Sequence, residues 1–406
     1  MVLMLPTPTD NGARLAAILP TAIASMALGA GEDPAGILEL ATGRGSAPAP
    51  KGLPSVRSTI LVVVDGLGHA NLKTSAGHAR VLSSLPNRRI ETVIPSTTGA
   101  ALTSLTTGRL PGEHGLIGYK IRHPRLGLLT TLKDWRGVLP EDRWQRSAPL
   151  FPLATRIGAR PVAIGRPAHA VGGLTEAILA GAEYLGGQTI ADRFAIASGI
   201  VRGPEPVLAY LYVDELDKAA HSDGWRSDLW VRRLEQLDAA LDDLLRTLPG
   251  DVGVIVTADH GIVDIAPERR LLLDDGSVPL DGVSCIGGEA RMRSLYLEDP
   301  TEAPETATRI AEAVGRLAWV GTRDEAIAAG WFGSIGDEVA ARLGEVLVVA
   351  RGQYAFMIGE GGSAALAMVG QHGGISDEER GVPLALGGAY AGTGFAGAVA
   401  EVAARV

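Results

Sequence analysis

Aspartate and histidine recur in four short segments of this 406-residue chain. Asp65 closes the run Thr59-Ile-Leu-Val-Val-Val-Asp65, and Asp217 and His221 stand four apart in Asp214-Glu-Leu-Asp-Lys-Ala-Ala-His221. Asp259 and His260 are adjacent in Thr257-Ala-Asp-His-Gly261, and His372 lies in Gly370-Gln-His-Gly-Gly374. Carboxylate and imidazole without thiolate form a donor set for a catalytic divalent cation: zinc first, with manganese or iron as alternatives. Asp217 and His221, one helical turn apart, share a face and can chelate one ion. Asp259 and His260 diverge along an extended chain, so both reach one ion only where a strand bends into a loop. The glycines around His372 let the backbone fold closely about an ion. Each pattern also has an ordinary reading: a cap or turn residue after a strand, a solvated pair on a helix, a plain turn. Their order, and their positions after strands, set the group apart.

A hydroxyl is available to use such ions. Thr98 stands in Ile94-Pro-Ser-Thr-Thr-Gly99, just before a helical pattern from Gly99 to Thr107. An unassisted threonine is a poor nucleophile; coordination to a metal removes its proton at neutral pH and aims the alkoxide. If Thr98 also opens the helix, the helix dipole and free amides favour an anion there.

The elements that must position these residues follow from periodicity. Thr59–Asp65 is a β-branched run ending in acid, and the apolar runs Pro206–Val213 and Val252–Asp259 repeat the design, the first with Asp214 directly after it, the pattern of buried parallel strands with ligands at their carboxyl ends. Pro161–Gly165 is a shorter strand of the same kind. Helical patterns intervene at Gly99–Thr107, Ala148–Gly158, Gly187–Ser198 and Arg226–Leu248, the last with Trp230, Leu234, Leu237, Leu241 and Leu245 on one stripe. The alternation predicts a doubly wound α/β fold. Residues 265–345 break it, with a strand at Ser294–Leu297, a helix from Glu305 to Leu317 and a second short helix near residue 324. They read as an inserted α+β subdomain in a core formed by 1–264 and 346–406, with Glu345–Ala350 returning to the core.

Composition narrows the class. A net charge of −9 with no basic stripe gives no nucleic-acid signal. A single cysteine, Cys285, excludes an internal disulfide and fits a reducing compartment. Leu15 to Ala30 is apolar, but Asp10 stands where a signal peptide needs a basic region, Arg14 abuts the apolar run, and Leu15, Ile18, Leu19, Ile23 and Met26 recur at helical spacing. The expectation is an amphipathic helix in a cytoplasmic protein, with secretion as the alternative. No apolar run reaches the roughly 18 residues of a membrane span.

In these ordered blocks the chain resembles the alkaline phosphatase superfamily, specifically its nucleotide pyrophosphatase/phosphodiesterase branch, over about residues 58–382. Pro95-x-x-Thr98, Thr107-Gly108, Pro111 and His114-Gly115 keep that branch's spacing after its nucleophilic threonine, followed by Asp217-x-x-x-His221, Asp259-His260-Gly261 and His372-Gly373. The resemblance implies an alkaline-phosphatase-like fold, a mostly parallel sheet sandwiched by helices with a small inserted α+β subdomain. It implies two divalent ions, one held by Asp217, His221 and His372, the other by Asp65, Asp259, His260 and Thr98. It further implies hydrolysis of the phosphodiester or pyrophosphate bond of a small-molecule ester through a phosphothreonine-type intermediate. A phosphomonoesterase or phosphonate hydrolase is the alternative within the superfamily, and a non-catalytic metal-dependent binder of phosphate compounds the alternative outside it.

One position departs from the branch. Twenty-one residues after Thr98, where an Asn donates to a phosphoryl oxygen, stands Tyr119. Either its phenol donates, or it packs and a Gly99 amide holds the oxygen. Lys120, Arg122 and Arg166 are candidates for a phosphate dianion or plain solvated charge. His114 is expected to pack behind the site, and His69, His78, His123 and His169 to be surface or supporting residues. Cys285 lacks the neighbours of a sulfatase modification signature, which argues against that chemistry.

Overall fold

The strand Ser58–Val64 has all seven residues buried and lies in the middle of a seven-stranded sheet. The protein was analysed as a computed structural model that describes residues 5–45, 47–359 and 366–406. Across the sheet the order is Asn87–Glu91, Gly381–Gly388, Val252–Thr257, Ser58–Val64, Val207–Val213, Arg160–Gly165, Glu183–Gly186. Gly381–Gly388 alone runs against the others, pairing antiparallel with both of its neighbours. The sheet is therefore mostly parallel and covered by helices on both faces, which is why its central strands are apolar without alternation. Because Ser58–Val64, Val207–Val213 and Val252–Thr257 are parallel neighbours, the acids that follow them emerge at one edge.

Helix Thr98–Thr107 is buried along its whole length, and Asp228–Thr247 is amphipathic, with Trp230, Leu234, Leu237 and Leu241 buried. The expected short helices appear at Phe151–Arg156 and Ile190–Val201, within a few residues of the predicted spans. Helix Ala13–Ala30 departs from expectation in two respects. It is long and apolar enough to span a membrane by length and composition alone, and it is buried all round from Leu15 to Ala27 rather than along one face. Its neighbours are the helices Pro34–Thr42, Thr98–Thr107 and Phe395–Ala403.

Between Asp264 and Gly381 the chain leaves the sheet. Val283–Glu289, Met292–Leu297, Val346–Ala350 and Ala318–Thr322 form, in that order, a four-stranded antiparallel sheet against the helix Ala303–Val314. Val346–Ala350 thus belongs to this small sheet and is not the expected return to the core. A fully buried apolar strand reads the same in either sheet, so its sequence could not distinguish them. The turn between Val283–Glu289 and Met292–Leu297 points toward the acidic edge of the main sheet, and Gly370–Gln371 pairs with Val263–Asp264 to bring His372 there as well.

Candidate active site

Thr98 is the first residue of its ten-residue helix, after an extended Thr97. Its hydroxyl lies 3.1 Å from His260 Nε2, and that nitrogen is 3.4 Å from Asp65 Oδ1 and 3.5 Å from Asp259 Oδ2. On the other side, His221 Nε2 is 3.2 Å from Asp217 Oδ2, while the His372 ring stacks on His260 and lies 5.2 Å, centre to centre, from His221. Five of the Asp and His residues picked from sequence form two overlapping groups of potential ligand atoms, each within 4.8 Å: Asp217, His221 and His372, then Asp65, Asp217 and His260. Asp217, expected in one set only, belongs to both groups. Asp259 meets them through His260.

The tautomers can be read from backbone partners. His221 Nδ1 is 2.8 Å from Gly370 O, His260 Nδ1 3.1 Å from Gly261 O, and His372 Nδ1 3.0 Å from Ser96 O. A carbonyl only accepts, so each Nδ1 carries a proton, and in the neutral ring Nε2 keeps its lone pair. The three imidazoles are therefore oriented as Nε2 ligands, by the carbonyl partners typical of metal-binding histidines.

The carboxylates show a matching deficit. Asp65 Oδ1, Asp217 Oδ1 and Asp259 Oδ2 are buried and have no hydrogen-bond partner among the described residues. Buried unpaired carboxylate oxygens are costly unless a cation meets them, so the donor set fits divalent metal. Burial and the neighbouring acids push Asp65 well above the ordinary carboxylate range and Asp259 up to about 6. Burial would raise Asp217 too, but His221 and the other histidines outweigh it and hold it low. His221, desolvated yet beside Asp217, is pushed up to about 9, whereas burial lowers His260 to about 4. Gly66 makes the approach possible: its φ is +71°, and a Cβ there would sit 3.0 Å from Asp217 Oδ1.

Gly99 packs with its α-carbon against Thr131, whose Oγ1 would be 2.5 Å from an added Cβ. Its amide lies in the first helical turn, where N–H groups have no partner within the helix. Tyr119 is half-buried, and its hydroxyl makes no hydrogen bond among the described residues. Burial, then the charges of Glu289 and Asp134, raise its pKa. Arg166 is occupied by Asp214 at 2.7 Å and Glu215 at 2.9 Å, so its guanidinium is not free for phosphate, whereas Arg122 lies over the Tyr296 ring. Lys120 sits half-buried on the hairpin that follows Tyr119. His114 packs behind the helix Thr98–Thr107, 2.9 Å from Ser104 Oγ. His123, expected as a surface or supporting residue, is buried against Trp144 and Asp142.

Glu289 was not singled out from sequence. It ends the strand Val283–Glu289, with one oxygen 3.8 Å from His372 Nδ1, and Gly373, at φ +105°, leaves room for it: a Cβ there would lie 2.2 Å from the Glu289 carboxyl carbon. Burial and the Glu379 charge push it up to about 8. Beside it, buried Arg291 clasps Glu379, which accepts from Gly374 N–H at 2.8 Å and so braces the His372 loop. Nothing in a lone Glu after Gly-Gly signals this; only the hairpin's reach does.

Residues 59–375 match the family described as type I phosphodiesterase / nucleotide pyrophosphatase. The chain belongs to that family. Among individual relatives, ectonucleotide pyrophosphatase/phosphodiesterase family member 1 of Rattus norvegicus is 26% identical over 264 residues. That alignment takes in 61% of this chain and 28% of the rat protein, so the chain spans little more than a quarter of that relative's length. The murine ectonucleotide pyrophosphatase/phosphodiesterase 5 structure matches with a TM-score of 0.64 at 18% identity, covering 81% of this chain and 87% of that one. Phosphonoacetate hydrolase of Sinorhizobium meliloti 1021, solved with phosphonoformate, matches with a TM-score of 0.63 at 19% identity, covering 88% and 98%. Both structural likenesses establish the alkaline-phosphatase-like fold. The family is metal-dependent, in keeping with the candidate ligand groups described above.

Proposed function

We propose that this chain hydrolyses the phosphodiester or pyrophosphate bond of a small-molecule ester, with Thr98 as nucleophile. The observation that carries the reading is that three Nε2-presenting histidines and three partnerless carboxylate oxygens converge beside the hydroxyl of Thr98, the first residue of its helix. Asp217, His221 and His372 would hold one divalent ion, and Asp65, Asp259, His260 and the Thr98 oxygen the other. Zinc is the first choice for this nitrogen and oxygen donor set, with manganese or iron possible on the same chemistry. Ions bound there supply the positive charge that acidifies the Thr98 hydroxyl and offsets charge on the phosphoryl oxygens.

Thr98 then releases its proton to solvent and forms an Oγ–P bond as the bond from phosphorus to the leaving group breaks, the electron pair departing with that group. Water cleaves the phosphothreonine-type intermediate from the opposite side and restores the hydroxyl. The Gly99 amide, in the first turn of the helix, donates to a phosphoryl oxygen, aided by the helix dipole. Tyr119, close enough to Glu289 to feel its charge, is the second candidate donor. A parallel comes from murine ectonucleotide pyrophosphatase/phosphodiesterase 5, whose inactive threonine-to-alanine form has been solved with AMP.

A phosphonate or phosphomonoester substrate is the second reading. It draws on the likeness to phosphonoacetate hydrolase across 98% of that chain, and on Tyr119 standing where the branch has Asn. Rates on an aryl phosphate diester, an aryl phosphate monoester and phosphonoacetate, measured with zinc and with manganese, separate the two. The first reading expects the diester to be fastest; preference for the monoester or phosphonate reverses the order of the readings.

A further inference from the structure

Val63 pairs with Tyr212 in the parallel sheet, and beyond the strand Asp65 N–H still donates to Val213 O at 2.9 Å. Side chains alternate along a strand, so Asp65 shares the face of Val63 and therefore that of Tyr212. Along that face the Tyr212 phenol reaches Asp65 and donates to Oδ2. The second oxygen, Oδ1, is the one left buried without a partner, and it is the one 3.4 Å from His260 Nε2 and thus beside Thr98. The phenol is itself held in place. Its ring runs parallel to Tyr210 at 6.5 Å, with planes 9° apart, and the His169 ring lies 6.4 Å away.

A carboxylate free on both oxygens can turn about its last torsion, and it can bind a cation through one oxygen or two. Asp65 lacks that freedom, because one oxygen is tied. We propose that Tyr212 is a positioning residue for the ion beside Thr98: its hydroxyl holds Asp65 Oδ2 and presents Oδ1 alone as the ligand. The inference rests on the reading of Asp65 as a ligand given above. Removing the hydrogen-bond partner of a ligand commonly lowers metal affinity about 10- to 100-fold.

Tyr212→Phe tests it, since the ring and its packing remain. The full chain is stripped with a chelator and titrated with Zn2+ against a fluorescent competitor, with the thermal midpoint of the stripped protein recorded alongside. One of two zinc affinities should fall about 10- to 100-fold while the other holds. The visible spectrum of the cobalt(II)-loaded variant should also shift, as Asp65 becomes free to bind through both oxygens. At saturating zinc the kcat should drop with KM little changed. Tyr184→Phe, which loses a phenol bonded to Arg166 O instead, should leave affinities and spectrum alone. If Tyr212→Phe does not fold, Tyr212→Met is measured with the same expectation. Wild-type zinc affinities and an unchanged cobalt spectrum in the variant overturn the proposal. Asp65→Asn separates the two levels: loss of an ion there with an unaffected Tyr212→Phe overturns the Tyr212 role alone, whereas full retention of both ions by Asp65→Asn overturns the ligand reading with it.

Discussion

His260 and His372 stack ring on ring, with centroids 3.6 Å apart and planes 12° from parallel. One follows the strand Val252–Thr257, and the other comes from a loop more than a hundred residues later. Two imidazolium charges at that distance would repel, and both rings are buried. Burial, then the adjacent His260 ring, lowers His372 to about 3. This folded value is below the ordinary histidine value of about 6.5, so the unfolded chain takes up a proton that the folded chain refuses. The stabilisation is present above about pH 6.5 and is lost as pH falls from there toward 3.

The consequence is measurable in the chelator-stripped protein. Between pH 7 and pH 5 the His372 contribution should fall by about 2 kcal/mol. Urea unfolding of wild type and His372→Gln across that interval should show their stability difference moving against wild type by that amount. A difference independent of pH would mean that His372 is not held neutral.

Arg291 and Glu379 make a second long-range pairing, joined by hydrogen bonds of 2.9 and 2.7 Å with both side chains fully buried. Arg291→Met leaves a buried carboxylate without its partner, at an expected cost of about 3–5 kcal/mol. Adding Glu379→Met to it should recover much of the loss, because the uncompensated charge goes too. Urea unfolding of the four-member cycle provides the test; strictly additive costs would contradict a coupled pair. Since Glu379 also holds the Gly374 amide, the single Arg variant should bind zinc more weakly.

Gly66 should not tolerate a side chain. At φ +71°, Ala is strained by about 1–2 kcal/mol, and its methyl would meet Asp217. Metal analysis of Gly66→Ala after dialysis should find less than the wild-type content, although the protein remains folded by circular dichroism. Full metal content would show that Asp217 need not come so close.

The parts of this arrangement legible in the sequence were those with local signals. Asp65 and Asp259 end apolar strands, Asp217 and His221 are one helical turn apart, and His372 is flanked by glycine, so type and spacing alone pick them out. Glu289, Arg291 and Tyr212 carry no such signal. Tyr212 matters only because strand register sets it beside Asp65, and Glu289 only because an antiparallel hairpin reaches His372. The same reason explains Val346–Ala350: strand-forming character is local, but choice of sheet is not. Helix Ala13–Ala30 was found by periodicity, while its burial on all sides depends on helices from both ends of the chain.

Thr98→Ala tests the central claim most directly, with zinc content and diester hydrolysis measured on the same preparation. The other six donors should keep the ions, so metal content should stay near wild type while hydrolysis falls by about a thousandfold or more. Hydrolysis at the wild-type rate in the metal-loaded variant would remove Thr98 from the mechanism and contradict the account.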